Sequence, residues 1–157
     1  MPYDYLDSPL GIVEIAFEKD HIVGIEFVDK KKEASPTPLS RKAVKELKEY
    51  FEGKRKIFSL PLHLEGTEFQ KRVWEALQEI PYGQTCSYKD IAVKIGNPGA
   101  SRAVGLANNR NPISIVIPCH RVIGANKKLV GYGGGLERKE WLLNMEKKGA
   151  EEEEKML

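Results

Sequence analysis

At 157 residues, 41% hydrophobic and 31% charged, the chain is long enough to bury the core of one or two small domains. No apolar run approaches the ~18 residues of a membrane span, and MPYDYLDSPL at the start has no basic segment followed by an apolar one, so neither a membrane segment nor a secretory signal is expected. The net charge of +2 hides an asymmetry: residues 67–150 hold thirteen Lys and Arg against seven Asp and Glu, while residues 1–66 hold eleven against twelve, a surplus that suits a polyanionic partner.

Between residues 3 and 28, Ile12-Val13 with Ile15 and Phe17, then Ile22-Val23 with Ile25 and Phe27, flank Glu18-Lys19-Asp20-His21. Two antiparallel strands joined by a short turn follow from that pattern. Asp29 to Pro38 reads as a solvated loop. Ser40 is placed to cap a helix whose apolar positions Ala43, Val44, Leu47, Tyr50 and Phe51 recur at helical spacing, with Gly53 ending it. Ile57 to Leu62 is one more short extended piece. No chemical constellation occurs in this half, and its expected role is structural support. His21 and His63 have no nearby cysteine pair, so no metal is expected.

At Thr67 the character changes. Thr67 and Gln70 form a capping box for a helix lined by Phe69, Val73, Ala76, Leu77 and Ile80, up to Pro81-Tyr82-Gly83. Ser87 with Asp90 starts a short helix closed by Gly96, and Asn97-Pro98 starts another, with Pro98 at its first position, running to about Asn109. Residues 87–109 thus have the proportions of a helix-turn-helix. The second of these helices is rich in small residues: Gly99, Ala100, Ser101, Ala103, Gly105 and Ala107. Close packing on a neighbour would account for them, and so would a thin face able to enter a DNA groove behind Arg102.

Ile113 to Ile117 reads as a buried strand-like run, which Pro118 stops just before Cys119. A free thiol is a few per cent thiolate at neutral pH, so a base or a positive field is needed to activate it. His120 is the nearest base, but neighbours on an extended chain point opposite ways. Contact therefore requires a turn after Pro118 or a bridging water. Cys86 is read as structural, and with two cysteines and no signal a reducing, cytoplasmic setting without a disulfide is expected. Val122 to Gly135 reads as loop and short strand, and the glycines after Tyr132 leave backbone N–H groups open to a ligand. The last helix, Leu136 to Lys148, turns Trp141, Leu142 and Met145 inward, and residues 151–157 read as a disordered acidic tail. Glu146 in that last helical turn would oppose the helix dipole, a hint that another contact holds it.

Pro118-Cys119-His120-Arg121-Val122 resembles the active-site signature of the O6-alkylguanine-DNA alkyltransferases. The likeness continues through Phe69-Gln70, Val73-Trp74, Ser87-Tyr88, Gly96-Asn97-Pro98, Arg102-Ala103-Val104-Gly105, Asn111-Pro112, Tyr132, Gly134-Gly135-Leu136 and Lys139-Glu140-Trp141-Leu142-Leu143 to Glu146. The resemblance implies an α/β (α+β) protein: residues 1–62 form a small antiparallel sheet with a helix, and residues 67–150 a mostly helical domain holding the helix-turn-helix and the cysteine. It implies direct, irreversible, once-only transfer of an alkyl group from oxygen 6 of guanine, and of oxygen 4 of thymine, to Cys119, with no cofactor. It further implies that His120 draws the thiol proton through a water, that Glu146 orients His120, that Tyr88 donates to the guanine ring, and that Asn111 pins the turns of the site. Ala100, Ser101, Arg102, Ala103 and Gly105 would face the minor groove of double-stranded DNA bearing alkylated guanine, with Arg102 filling the stack left by a flipped base. Val122, Tyr132 and Gly133 would bound the base pocket. Gly133 stands where several relatives have serine, which removes a hydroxyl and keeps the N–H. The protein is expected to act as a monomer. A lesion-binding module without transfer, and a Cys-His peptidase or acyltransferase, are the competing classes.

Overall fold

The computed structural model describes residues 1–124, 129 and 131–156. The chain divides into two compact units, Met1–Leu64 with Pro112–Ser114, and Glu65–Asn111 with Ile115–Leu157.

The first unit is a three-stranded antiparallel sheet in the order β1-β2-β3, with one helix. The strands are β1 (Tyr3–Ser8), β2 (Gly11–Glu18) and β3 (His21–Val28), one more than the hydrophobic pattern announces. β1, with the sequence YDYLDS, is too polar to signal itself; its pairing with β2, from Tyr3 opposite Ala16 to Ser8 opposite Gly11, makes it a strand. Val13, Ile15, Phe17, Ile22 and Ile25 form the buried face with Ala43, Leu47, Tyr50 and Phe51 of α1 (Pro38–Phe51). α1 starts earlier than expected: Thr37 is its N-cap and Ser40 the third residue of a reciprocal capping box. Ile57 to Leu62 is not a strand; only Leu62 bridges to Ile22. Pro112–Ser114 belongs to this unit too, because Ile25 N donates to Pro112 O at 3.0 Å and Ser114 N to Ile25 O at 3.0 Å.

The second unit is helical. α2 (Glu68–Leu77) opens on the Thr67/Gln70 capping box, and α3 (Tyr88–Lys94) on the corresponding Ser87/Asp90 pair, both as read from the sequence. α4 (Ser101–Asn109) starts later than expected: Pro98 lies in a turn closed by Ala100 N donating to Asn97 O, and Ala100 is the N-cap. Trp74 of α2 donates through its indole N–H to Ala107 O of α4 at 2.9 Å, and Arg72 donates to Ile95 O beyond α3, so α2 is bonded to the ends of both later helices. The expected strand over Ile113–Ile117 is absent: Ile115 and Val116 form a turn in which Ile115, buried, sits at φ 74. That is a sterically costly conformation for a β-branched residue and is held by its surroundings. Cys119–Arg121 then forms a single 3-10 turn, and β5 (Val122–Ile123) pairs in parallel with β4 (Cys86–Ser87).

α5 runs from Leu136 to Met156, so residues 151–156 continue the helix rather than forming a disordered tail. Its buried positions are Lys139, Leu142 and Glu146, with Trp141 and Met145 only partly covered. Glu146 is thus well inside the helix, and the dipole expectation attached to a last turn does not apply. Of the stretch expected as loop and strand after Val122, residues 125–128 and 130 lie outside the described residues.

Candidate active site

The turn required after Pro118 is present. Cys119 N donates to Ile117 O at 2.8 Å and Arg121 N to Pro118 O at 3.0 Å, which folds Cys119, His120 and Arg121 onto one turn with all three side chains buried. His120 is 0% exposed, and its Nε2 lies 2.6 Å from Glu146 Oε2. Arg121 takes the same carboxylate as a fork, Nε to Oε1 at 2.7 Å and a terminal nitrogen to Oε2 at 3.0 Å, while its other terminal nitrogen donates to Ile80 O at 2.7 Å. Both oxygens of Glu146 are therefore engaged by charge-assisted bonds, the form of contact that repays the burial of a charge. Gly83 completes the cage: its N–H points to Glu146 Oε1 at 3.5 Å, its φ is 81, and a Cβ there would come within 2.6 Å of Ala150 Cβ, so only glycine fits.

The protonation states follow from these contacts. Burial alone would raise the Glu146 carboxyl, but His120 and Arg121 together bring it down to about 2, so it is an anion at neutral pH. Burial lowers His120 below the ordinary imidazole value despite the pull of Glu146, which leaves a neutral ring able to accept a proton. Burial raises the Cys119 thiol, against the opposing effects of an Asn111 hydrogen bond and the Lys139 charge. The resting site holds a neutral thiol and, on the same turn, a neutral imidazole bonded to an ionised carboxylate, a set that can deprotonate a nucleophile when an electrophile arrives.

The other expected residues fall into two groups. Asn111 Nδ2 donates to Ile117 O at 2.7 Å and its side chain also bonds the thiol, so it pins the turn and reaches the nucleophile. Tyr88 is half-buried at the start of α3; burial raises its hydroxyl, and the Cys119 charge adds to that. The Tyr88 hydroxyl would stand 3.4 Å from a Cβ at Gly131, so the chain just before Tyr132 runs beside it. Among the described residues the buried Tyr132 hydroxyl has no hydrogen-bond partner, and burial raises it strongly. Gly133 is exposed, while Val122 is buried and its carbonyl already accepts from Lys139 Nζ at 2.6 Å. Along α4, Arg102 and Ala103 are exposed, and Ala100, Ser101 and Gly105 are partly so. A Cβ on Gly105 would sit 3.7 Å from the Tyr88 ring, ordinary contact, so packing alone does not demand glycine there.

Two residues escaped the sequence analysis. Arg121 stands inside the motif but had no role assigned, and Lys139 was read only as part of a match. For Lys139 the signal was its spacing from Leu142 and Glu146, which puts all three on one helical stripe; for Arg121 there was none beyond its place in the motif. Cys86 and Cys119 are both free thiols, and Cys86, half-buried, is raised to about 11 by burial and by Asp90. Among the described residues no group of three His, Cys, Asp or Glu side chains is placed to hold a metal, and no helix is long and apolar enough to cross a membrane.

Residues 68–148 match the family model of the 6-O-methylguanine DNA methyltransferase DNA binding domain, and residues 1–64 that of its ribonuclease-like domain. A methylated-DNA–protein-cysteine methyltransferase of Mycolicibacterium paratuberculosis is 51% identical over 152 residues, covering 93% of this chain and 92% of that one. Its counterpart in Methanosarcina acetivorans is 50% identical, covering 93% and 98%. The crystal structure of Mycobacterium tuberculosis OGT in complex with DNA superposes with a TM-score of 0.88 at 47% identity, covering 95% of this chain and 94% of that one.

Proposed function

The chain belongs to the 6-O-methylguanine DNA methyltransferase family, and we propose that it repairs DNA by moving the alkyl group of O6-alkylguanine irreversibly onto Cys119. The observation that carries this assignment is the single turn that buries Cys119 together with a neutral His120, whose ring is held by the Glu146 carboxylate.

With Nε2 of His120 engaged by Glu146, the thiol proton passes through a water to Nδ1. The sulfur attacks the alkyl carbon, the carbon–oxygen bond breaks, and its electron pair stays on guanine. Tyr88 donates its hydroxyl proton to the guanine ring as the base leaves, and the proton held by His120 restores the tyrosine. The sulfur ends as a thioether that no group in the site can cleave, so each molecule acts once. Glu146, already ionised, stabilises the imidazolium as it forms. Asn111 keeps Ile117 and the thiol in register, while Val122, Tyr132 and Gly133 bound the base.

A base stacked in a duplex cannot reach a buried sulfur, so the nucleotide rotates out at a cost of a few kcal/mol, reduced at a mispaired lesion. The exposed Arg102, followed by Ala103, supports α4 as the element that enters the minor groove, where readout is largely blind to sequence and a repair protein gains from that blindness. The protein acts as a monomer in the cytoplasm.

Reduced protein incubated with an oligonucleotide containing O6-methylguanine should gain one methyl group on the peptide holding Cys119; an unmodified peptide after complete binding would reject the assignment. Arg102→Ala should slow transfer from duplex by about tenfold or more, equivalent to about 1.4 kcal/mol, while leaving transfer from the free base near normal. Equal loss on both substrates would remove Arg102 from the flipping step.

A further inference from the structure

Lys139 is the least expected buried group in the molecule. It stands one turn into α5 and is 0% exposed, although lysine side chains ordinarily lead their ammonium to water. Its Nζ donates to Val122 O at 2.6 Å and to Gly131 O at 3.1 Å, carbonyls on either side of residues 123–130. Val122 follows the catalytic turn directly, and Gly131 precedes Tyr132. Main-chain carbonyls are dipoles, and withdrawing an ammonium from water is costly, so a packing role alone would be served better by an apolar side chain.

We propose that Lys139 is a charged positioning residue of the acceptor site: its buried ammonium, bonded to the carbonyls of Val122 and Gly131, fixes the main chain directly after the Cys119 turn and directly before Tyr132, and sets a positive charge at that turn. The inference rests on Cys119 being the acceptor. Lysine and thiol each favour the other's charged form, since the ammonium lowers the thiol and the thiolate raises the ammonium. Among the described residues, Tyr88 from α3, Tyr132, and Lys139 from α5 are the titratable groups coupled to Cys119, and His120, Arg121 and Glu146 are bonded to one another at the same turn. Arg121 is forked onto Glu146, so its charge is largely spent there. Lys139 also disfavours the imidazolium, which keeps His120 neutral until the thiol proton arrives. Burial brings the ammonium down to about 8, so its charge, and the help it gives the thiol, is present below that pH and lost above it.

The test uses iodoacetamide as the probe, read at the Cys119 peptide by mass spectrometry, with Cys86 as internal reference. Because no DNA is involved, failure of methyl transfer from a lesion leaves this measurement interpretable. The wild-type rate should bend downward from its low-pH trend near pH 8 as Lys139 loses its proton, and Cys86 should show no such bend. At pH 7, Lys139→Met and Lys139→Gln should each slow Cys119 alkylation by about tenfold, because the thiol loses the positive charge that favours its reactive form. Lys139→Arg should retain most of the rate and lack the bend. Lys139→Gln, which keeps a donor for the carbonyls, separates the charge from the clamp. A wild-type profile without the bend, which needs no variant to fold, or a folded Lys139→Gln reacting at the wild-type rate, would overturn the inference.

Discussion

Both units bury carboxylates under arginine forks, and they differ in what else touches the oxygens. In the first, Asp4 accepts from Arg41 Nε and a terminal nitrogen at 2.9 Å each, from Ser40 Oγ at 2.8 Å and from Tyr5 N at 2.8 Å. Burial would raise this carboxyl, yet those bonds hold it below the ordinary value. Glu46 likewise accepts from Ser59 N at 2.8 Å and Ser59 Oγ at 2.9 Å. Guanidinium and hydroxyl groups exchange no proton near neutral pH, so these clusters join α1 to the sheet and the chain after it, and nothing more. In the second unit the fork from Arg121 leaves one oxygen shared with His120, a ring that can take up a proton. The same device is thus static where its partners are inert, and chemically poised where one partner titrates and a thiol stands next to it.

The comparison breaks first at Glu146. Glu146→Gln leaves Arg121 buried without its counter-ion and should destabilise the protein by about 3–5 kcal/mol in urea unfolding, while also abolishing methyl transfer. A variant that unfolds at the wild-type urea midpoint would show that Glu146 is not the keystone of its cluster. The pH dependence carries the same signature. Glu146 has a folded pKa of about 2 against an ordinary 4.5, so its contribution to stability is whole above about 4.5 and is lost as pH falls towards 2. Thermal melts of the wild type across that window should fall more steeply than those of Glu146→Gln.

At Asp4 the two effects should separate. Asp4→Asn should cost about 1–3 kcal/mol of stability through the donors it leaves poorly matched, with the methyl-transfer rate unchanged. A slower transfer in folded protein would mean that the first unit does more than support. Removing residues 151–157 should have the smallest effect, within about 0.5 kcal/mol, because residues 151–156 are exposed on the last turns of α5.

Capping chemistry was the most legible part of the fold. Thr67 with Gln70 and Ser87 with Asp90 are three residues apart, the distance at which a side chain meets the orphan N–H groups of its own helix, so local sequence suffices to start α2 and α3. β1 was missed because a polar strand exists only through its partner. The turn at Ile115 was missed because branched apolar residues favour extended structure, and only surrounding contacts hold such a residue at φ 74.

Cys119, His120, Asn111 and Glu146 could be named because the order of motifs resembles that of the alkyltransferases, and the fold sets Asn111 against the Ile117 carbonyl and Glu146 against His120. The roles of Arg121 and Lys139 could not, because charge on a helix face reads as solvated until something covers it. Whether a guanidinium or an ammonium is a surface ornament or part of a site depends on desolvation and on donors brought from distant positions, which the folded packing supplies and residue order leaves open.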